Sequence, residues 1–202
     1  MSIINIFSFA LLSIFGVSYI SKLIILSKRN NIKADVFGKG TKPKETLIIE
    51  KCLRTITFAG FGIWLVDALF PMFAEKWFVG LYENRVTSFL GIIITLIGVS
   101  FFILAMVFMK TSWRAGIDKL TKTALVTSGL YKYSRNPAFV GMDLMFIGTA
   151  ITHMNLVTVI SALLVIVGLH LQILQEEKHM EETIGKEYSD YALRTPRYLV
   201  TK

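Results

Sequence analysis

Long apolar blocks separated by short polar segments dominate the chain. Blocks of roughly 17–25 apolar residues are long enough to cross a hydrocarbon core about 30 Å thick as α-helices. The last two blocks are separated only by His153, Met154 and Asn155, and so short a joint predicts an antiparallel helical hairpin. The pattern predicts an all-α, polytopic membrane protein with about five transmembrane helices, a C-terminal helical hairpin and a polar tail. The five blocks cover approximately residues 3–26, 56–73, 86–109, 138–152 and 156–174.

Composition supports this reading. Hydrophobic residues make up 53% of the 202 residues, whereas soluble domains have about 45–50%. Because no long polar insert separates the blocks, we expect residues 1–202 to form a single integral membrane domain.

The positive charges predict the orientation. Lys and Arg are concentrated in residues 22–54 and 110–135, whereas the segment between the second and third blocks has only Lys76 and Arg85 and the hairpin turn has neither. The positive-inside rule then predicts an odd number of spans, with the N-terminus outside and the C-terminus in the cytosol. We expect a multi-pass protein of the inner or plasma membrane. The net charge of +8 is explained by contact with anionic lipid headgroups, and no nucleic-acid partner is expected.

Two polar features stand out beside the hairpin. Within residues 125–141 a polar loop leads into the fourth apolar block at Pro137, and the helix of the fifth block ends in the adjacent pair Glu176 and Glu177. The hairpin brings them together, so that a helix N-terminus, which favours anions, faces two carboxylates. Such a pocket suits a zwitterionic or cationic ligand that also has a carboxylate. A simple helix cap and a solvated pair of glutamates explain the same residues equally well. The spacing of His, Asp and Glu and the single Cys52 predict no metal site.

The order and spacing of these residues resemble a known superfamily. Residues 123–131 (TALVTSGLY) and 135–141 (RNPAFVG) are similar to His-x-Leu-Val-x-x-Gly-x-Tyr and Arg-His-Pro-x-Tyr-x-Gly of the isoprenylcysteine carboxyl and phospholipid methyltransferases, which are integral membrane enzymes. Glu176–Glu177 with Met180, the segment from Ile184 to Tyr191, and Pro196–Arg197 look like the C-terminal elements of that superfamily. The resemblance covers roughly residues 110–198.

What the resemblance implies is a methyltransferase that uses S-adenosylmethionine at the cytosolic membrane face and acts on a lipid-like or membrane-soluble acceptor. Glu176 would bind the amino group or ribose of the cofactor, and Arg135 would either contact its carboxylate or brace the loop. Gln172 lies at the position associated with the acceptor. The remaining cofactor-lining residues by position are Thr123, Ala124, Leu125, Val126, Tyr131, Asn136, Pro137, Ala138 and Phe139.

Two residues of this chain depart from the superfamily pattern, and the departures bear on which acceptor is used. Asn136 replaces the usual His, which removes a titratable group. Gln172 stands where isoprenylcysteine enzymes have an Arg for the substrate carboxylate, and an amide cannot form that charge-assisted fork. No catalytic residue is assigned, although a protonated amine acceptor would need a base, with Glu177 or Asp143 nearest. Two alternatives are an NADPH-dependent membrane reductase and a non-catalytic scaffold or transporter.

Overall fold

The computed structural model describes residues 2–82, 84–118 and 124–199. This part of the chain is helical and contains no β-sheet. Four helices are long and apolar enough to cross a membrane: residues 3–30, 44–69, 85–112 (the last three of which form a 3-10 turn) and 156–184. The all-α membrane architecture is thus confirmed. The full order is α1 (Ile3–Asn30), α2 (Lys44–Leu69), α3 (Pro71–Trp77), α4 (Arg85–Met109), a 3-10 turn (Lys110–Ser112), a second 3-10 turn (Gly129–Lys132), α5 (Pro137–His153), α6 (Leu156–Ile184) and α7 (Lys186–Arg194).

Local chemistry explains where these helices begin and end. Pro137 occupies the first turn of α5, where its missing N–H costs nothing. Asn155 starts α6 through a reciprocal capping box with Thr158, which satisfies two otherwise unpaired groups. At its far end α6 stops at Gly185, whose φ of 69° suits a residue without Cβ. Helices α5 and α6 therefore form the predicted hairpin. A fifth crossing by α5, which has 17 residues, stays a prediction.

Helices α4 and α5 pack along a seam of glycines. A Cβ at Gly98 would lie 2.6 Å from the backbone nitrogen of Met145, and one at Gly141 would lie 2.6 Å from that of Phe102. Gly91 and Gly148 extend the seam. Small residues let two helix backbones approach closely in a membrane, where packing replaces the hydrophobic effect as the driving force. The seam holds α5, and the loop before it, in place.

Helices α2 and α6 pack antiparallel in a definite register. Thr46 Oγ1 donates to Gln175 Oε1 at 2.8 Å, and Gln172 Nε2 approaches Glu50 Oε1 at 3.5 Å. Further along, Gly168 faces Leu53. In each pair the two residue numbers add up to about 221. This relation gives the residue of α6 that lies level with any residue of α2.

A buried carboxylate ties the loops to this pair of helices. Glu50 is fully buried and accepts from the backbone N–H groups of Gly38 at 2.7 Å and Ile117 at 2.9 Å. Lys42 Nζ completes the set at 2.6 Å. Residues 31–43, 110–118 and 124–136 thus gather with the tail, residues 185–199, at one end of the bundle, called the loop end below.

Candidate functional site

The loop before α5 is shaped by its own backbone. Gly129 has a φ of 62° and packs against the ring of Phe108, a position where any Cβ would clash. The 3-10 turn that follows buries Tyr131. Ser134 Oγ then accepts from the backbone N–H of Asn136 at 3.0 Å and directs the chain into Pro137 and α5.

Glu177 is the centre of a clasp between this loop, α6 and the tail. Its Oε1 accepts from Arg135 Nε at 3.1 Å and from Asn136 Nδ2 at 3.0 Å. Its Oε2 accepts from Arg135 Nη2 at 3.1 Å and from Arg197 Nε and Nη2 at 3.0 and 2.8 Å. With two guanidinium groups and one amide on it, Glu177 has no lone pair left for a general-base role.

Arg135 is committed to the protein. Besides Glu177, its Nη1 donates to the carbonyl oxygens of Ala192 at 3.0 Å and Thr195 at 2.7 Å. Of the two roles open to it, the structure favours bracing the loop against the tail.

Glu176, the next residue, has a different environment. Its Oε1 accepts from Gln172 Nε2 at 3.0 Å, and the carboxylate faces a cavity. In the described part of the chain, Arg135 and Arg197 form ion pairs with Glu177 and not with Glu176. A carboxylate that accepts from an amide and forms no ion pair in the described part of the chain is suited to bind a positively charged group of a ligand.

The cavity has a volume of about 870 Å³ and two chemically distinct ends. The polar end lies at the loop end of the bundle, where Glu176 and the loop before α5 meet the tail. The apolar end extends between α1 and α2, where Ile20 and Phe58 are 56% and 66% exposed on the outer surface of the bundle. The groove between these helices therefore opens toward the lipid. Its other apolar residues include Leu12, Phe15, Gly16, Phe61, Gly62 and Leu65.

Most of the residues predicted to bind the cofactor line this cavity. Pro137, which is buried at the start of α5, does not line it. Gln172, which was predicted to lie at the acceptor, is buried behind Glu176 and does not line it either. Thr123 lies outside the described residues. Binding by each of them stays a prediction. The lining members of the predicted set are Ala124, Leu125, Val126, Tyr131, Arg135, Asn136, Ala138, Phe139 and Glu176.

Buried tyrosines of the loop and tail lie beside the polar end. Tyr191 donates its hydroxyl to the carbonyl oxygen of Tyr131 at 2.6 Å. Burial raises the pKa of Tyr191 to about 12, and burial likewise raises the pKa of Tyr131 and Tyr188, with nearby carboxylates adding to the effect. These phenols stay protonated at neutral pH.

Several lining residues were not anticipated from the sequence. They come from α1, α2 and the segment between them, and include Tyr19, Asp35, Leu53 and Arg54. Asp143, suggested as a base, does not line the cavity. The described residues contain no cluster of His, Cys, Asp or Glu that could hold a metal ion.

Comparison with known proteins gives a family and two relatives. The model of the phospholipid methyltransferase family matches residues 86–187. The chain is also similar to a probable protein-S-isoprenylcysteine O-methyltransferase of Oryza sativa subsp. indica, with 26% identity over 179 residues that cover 86% of this chain and 90% of the relative. A protein of the same description from Oryza sativa subsp. japonica matches to the same extent.

Proposed function

The chain belongs to the phospholipid methyltransferase family, and from this premise we propose that it transfers a methyl group from S-adenosylmethionine to a lipid-like acceptor at the cytosolic face of the membrane. The observation that carries the proposal is a continuous cavity whose polar end contains Glu176 and whose apolar end opens between α1 and α2. A polar donor and a lipophilic acceptor would reach a common point from opposite sides.

The polar end fits the proposed cofactor. Glu176 lacks a cationic partner among the described ion pairs and would hold the amino group or the ribose hydroxyls. The segment from Ala124 to Val126, together with Ala138 and Phe139 at the start of α5, lines the same end. When bound, S-adenosylmethionine supplies a methyl group on a cationic sulfonium, which an acceptor lone pair takes as the S–CH3 bond breaks and its electrons return to sulfur.

The protein would contribute mainly alignment and exclusion of water. Phe15, Phe61 and Phe102 enclose the middle of the cavity, with the ring of Phe15 4.9 Å from Phe61 and 5.0 Å from Phe102. The clasp at Glu177 holds the loop in a fixed position. The family membership favours methyl transfer over the hydride transfer of a reductase.

Calorimetric titration of the detergent-purified chain with S-adenosylhomocysteine tests this proposal. We expect saturable binding that Glu176→Gln weakens about tenfold or more, because a hydrogen bond to a charged group contributes roughly 1.5–3 kcal/mol. Glu182→Gln is the matched control, since Glu182 is exposed on the same helix. Incorporation of labelled methyl into a lipid extract then tests the reaction. Absence of binding by the unmodified chain, or equal affinity for Glu176→Gln, would refute the cofactor assignment.

A further inference from the structure

Gln172 is a polar side chain of α6 at the interface with α2. It is fully buried and does not line the cavity. Its Nε2 donates to Glu176 Oε1 at 3.0 Å and approaches Glu50 Oε1, on α2, at 3.5 Å. An amide nitrogen has two hydrogens to donate, so this one nitrogen faces two carboxylates that belong to different helices.

The carbonyl oxygen of the same amide has no partner. Gln172 Oε1 is buried and accepts no hydrogen bond within the described residues. A buried acceptor without a donor is destabilising, and an apolar side chain of similar shape would avoid that cost. Turning the amide over would place this oxygen against the two carboxylates, so the carboxylates determine which way the amide points. Packing of α6 on α2 therefore does not explain why this residue is a glutamine.

Glu50 is the fixed end of this set of contacts. Its Oε1 accepts from the backbone N–H of Ile117 at 2.9 Å. Its Oε2 accepts from the backbone N–H of Gly38 at 2.7 Å and from Lys42 Nζ at 2.6 Å. Because these three donors come from two separate loop segments, the Glu50 carboxylate is held in place. The amide nitrogen thus lies between a fixed carboxylate and the carboxylate that faces the cavity.

The amide separates two negative charges without adding a positive one. Glu50 Oε1 and Glu176 Oε1 are 3.5 Å and 3.0 Å from the same nitrogen, so they are no more than 6.5 Å apart. Like charges this close repel strongly where water is excluded. Lys42 Nζ is occupied by Glu50 Oε2 and by the carbonyl oxygen of Val36. A neutral donor can orient the Glu176 carboxylate without neutralising it.

We propose that Gln172 is a positioning residue, whose neutral amide holds the Glu176 carboxylate toward the cavity and leaves its charge available to the ligand. This inference rests on the proposed function, because it concerns the carboxylate assigned to S-adenosylmethionine. Gln172 then acts through Glu176 from behind the cavity wall, and not by touching the acceptor. A cation in its place would neutralise Glu176, and an apolar side chain would leave the two carboxylates unscreened.

Gln172→Met tests the proposal, because methionine is similar in length and has no donor. Calorimetric titration of the detergent-purified full chain with S-adenosylhomocysteine should show about fivefold weaker binding, the factor that corresponds to one ordinary hydrogen bond. In methyl transfer to a lipid extract, the KM for S-adenosylmethionine should rise while kcat is unchanged, since the interaction is made in the ground state as well.

Gln175→Met is the matched control. Gln175 is on the same helix, and its Oε1 accepts from Thr46 Oγ1 across the same interface at 2.8 Å. Loss of this contact should lower the melting temperature without changing the affinity for S-adenosylhomocysteine. A loss of affinity shared by both variants would show that the α2–α6 interface as a whole is responsible, and would overturn the inference.

A double-mutant cycle separates positioning from a general distortion of the site. If Gln172 acts through Glu176, adding Gln172→Met to Glu176→Gln should weaken binding further by less than about twofold. A distortion of the cavity would weaken binding to the same extent in both backgrounds, and this result would contradict the proposal.

Other outcomes also decide the matter. Unchanged or tighter binding by Gln172→Met would overturn the inference, as would a higher KM for the lipid extract with unchanged cofactor affinity, which would assign Gln172 to the acceptor. If Gln172→Met fails to fold, Gln172→Asn, whose amide is one methylene group shorter, should show the same loss, and full affinity would refute the role. Absence of binding by the unmodified chain would refute the proposed function and this inference with it, whereas equal binding by the unmodified chain and the variant refutes this inference alone.

Discussion

Glu176 and Glu177 are neighbours on α6, yet the same substitution should have opposite consequences at the two positions. Glu177 accepts five hydrogen-bond contacts from Arg135, Asn136 and Arg197. Glu176 accepts one from Gln172 and faces the cavity. We therefore predict that Glu177→Gln destabilises the protein and that Glu176→Gln weakens ligand binding about tenfold or more with little loss of stability.

The size of the destabilisation by Glu177→Gln follows from the hydrogen bonds that a glutamine amide cannot accept. A glutamine has one acceptor oxygen, so an NH2 group would face at least one guanidinium that is itself a donor. Glu177 is 9% exposed, and breaking a buried ion pair by removing one partner costs about 3–5 kcal/mol. Taking about 3 kcal/mol because Arg197 remains partly solvated, and a shift of 2–4 °C per kcal/mol for a chain of this size, the melting temperature should fall by roughly 6–12 °C.

At Glu176 a glutamine keeps one oxygen that can accept from Gln172 Nε2, so the change should cost no more than one ordinary hydrogen bond, about 1 kcal/mol, and the melting temperature should stay within about 4 °C. Both variants are measured by intrinsic tryptophan fluorescence during heating in one detergent, and then by titration with S-adenosylhomocysteine below the melting temperature. Equal melting temperatures for Glu177→Gln and the unmodified chain would refute the clasp. A large destabilisation by Glu176→Gln would show that its carboxylate is structural.

Two further predictions concern the packing and the tail. Gly98→Ala should lower the free energy of unfolding by about 1–3 kcal/mol, since its Cβ would lie 2.6 Å from the nitrogen of Met145; Gly80→Ala, where nothing lies within 4 Å, is the control, and equal denaturation midpoints would contradict the seam. Burial raises the pKa of Tyr191 from 10.0 to about 12, so its contribution to stability is complete below pH 10 and is lost as the pH rises toward 12. Tyr191→Phe should therefore flatten the decline of melting temperature above pH 10, and an unchanged slope would argue against this.

The local pattern of apolar and polar residues predicted most of the helical architecture, because a chain that crosses a membrane has few structures other than long apolar helices. Apolar length located the membrane helices, and Pro137 with the polar loop before it located the start of α5. Helix α2 was underestimated: it begins at Lys44 rather than near residue 56. The charged residues in its first turns are typical of a polar connector between helices. The buried contacts of Glu50 and Lys42 cannot be recognised from the sequence, because their partners lie elsewhere in the chain.

Part of the candidate site was also predicted from local sequence pattern. Residues 124–139 and Glu176 lie within motifs that can be read along the chain, and most of them share one cavity. Arg54 and the clasp between Glu177 and Arg197 depend on contacts between separate elements. Such pairings are created by the packing of helices, and hydrophobic periodicity does not encode which polar residues meet.

The two walls of the cavity come from separate stretches of the chain. Residues of α1 and α2 form the groove, whereas the loop before α5, the end of α6 and the tail form the polar end. A consequence is that the two halves can change independently during evolution. On the proposed function, substitutions along α1 and α2 would alter the acceptor that is accommodated without changing the half that binds the donor, so that one membrane scaffold would serve enzymes for chemically different lipids.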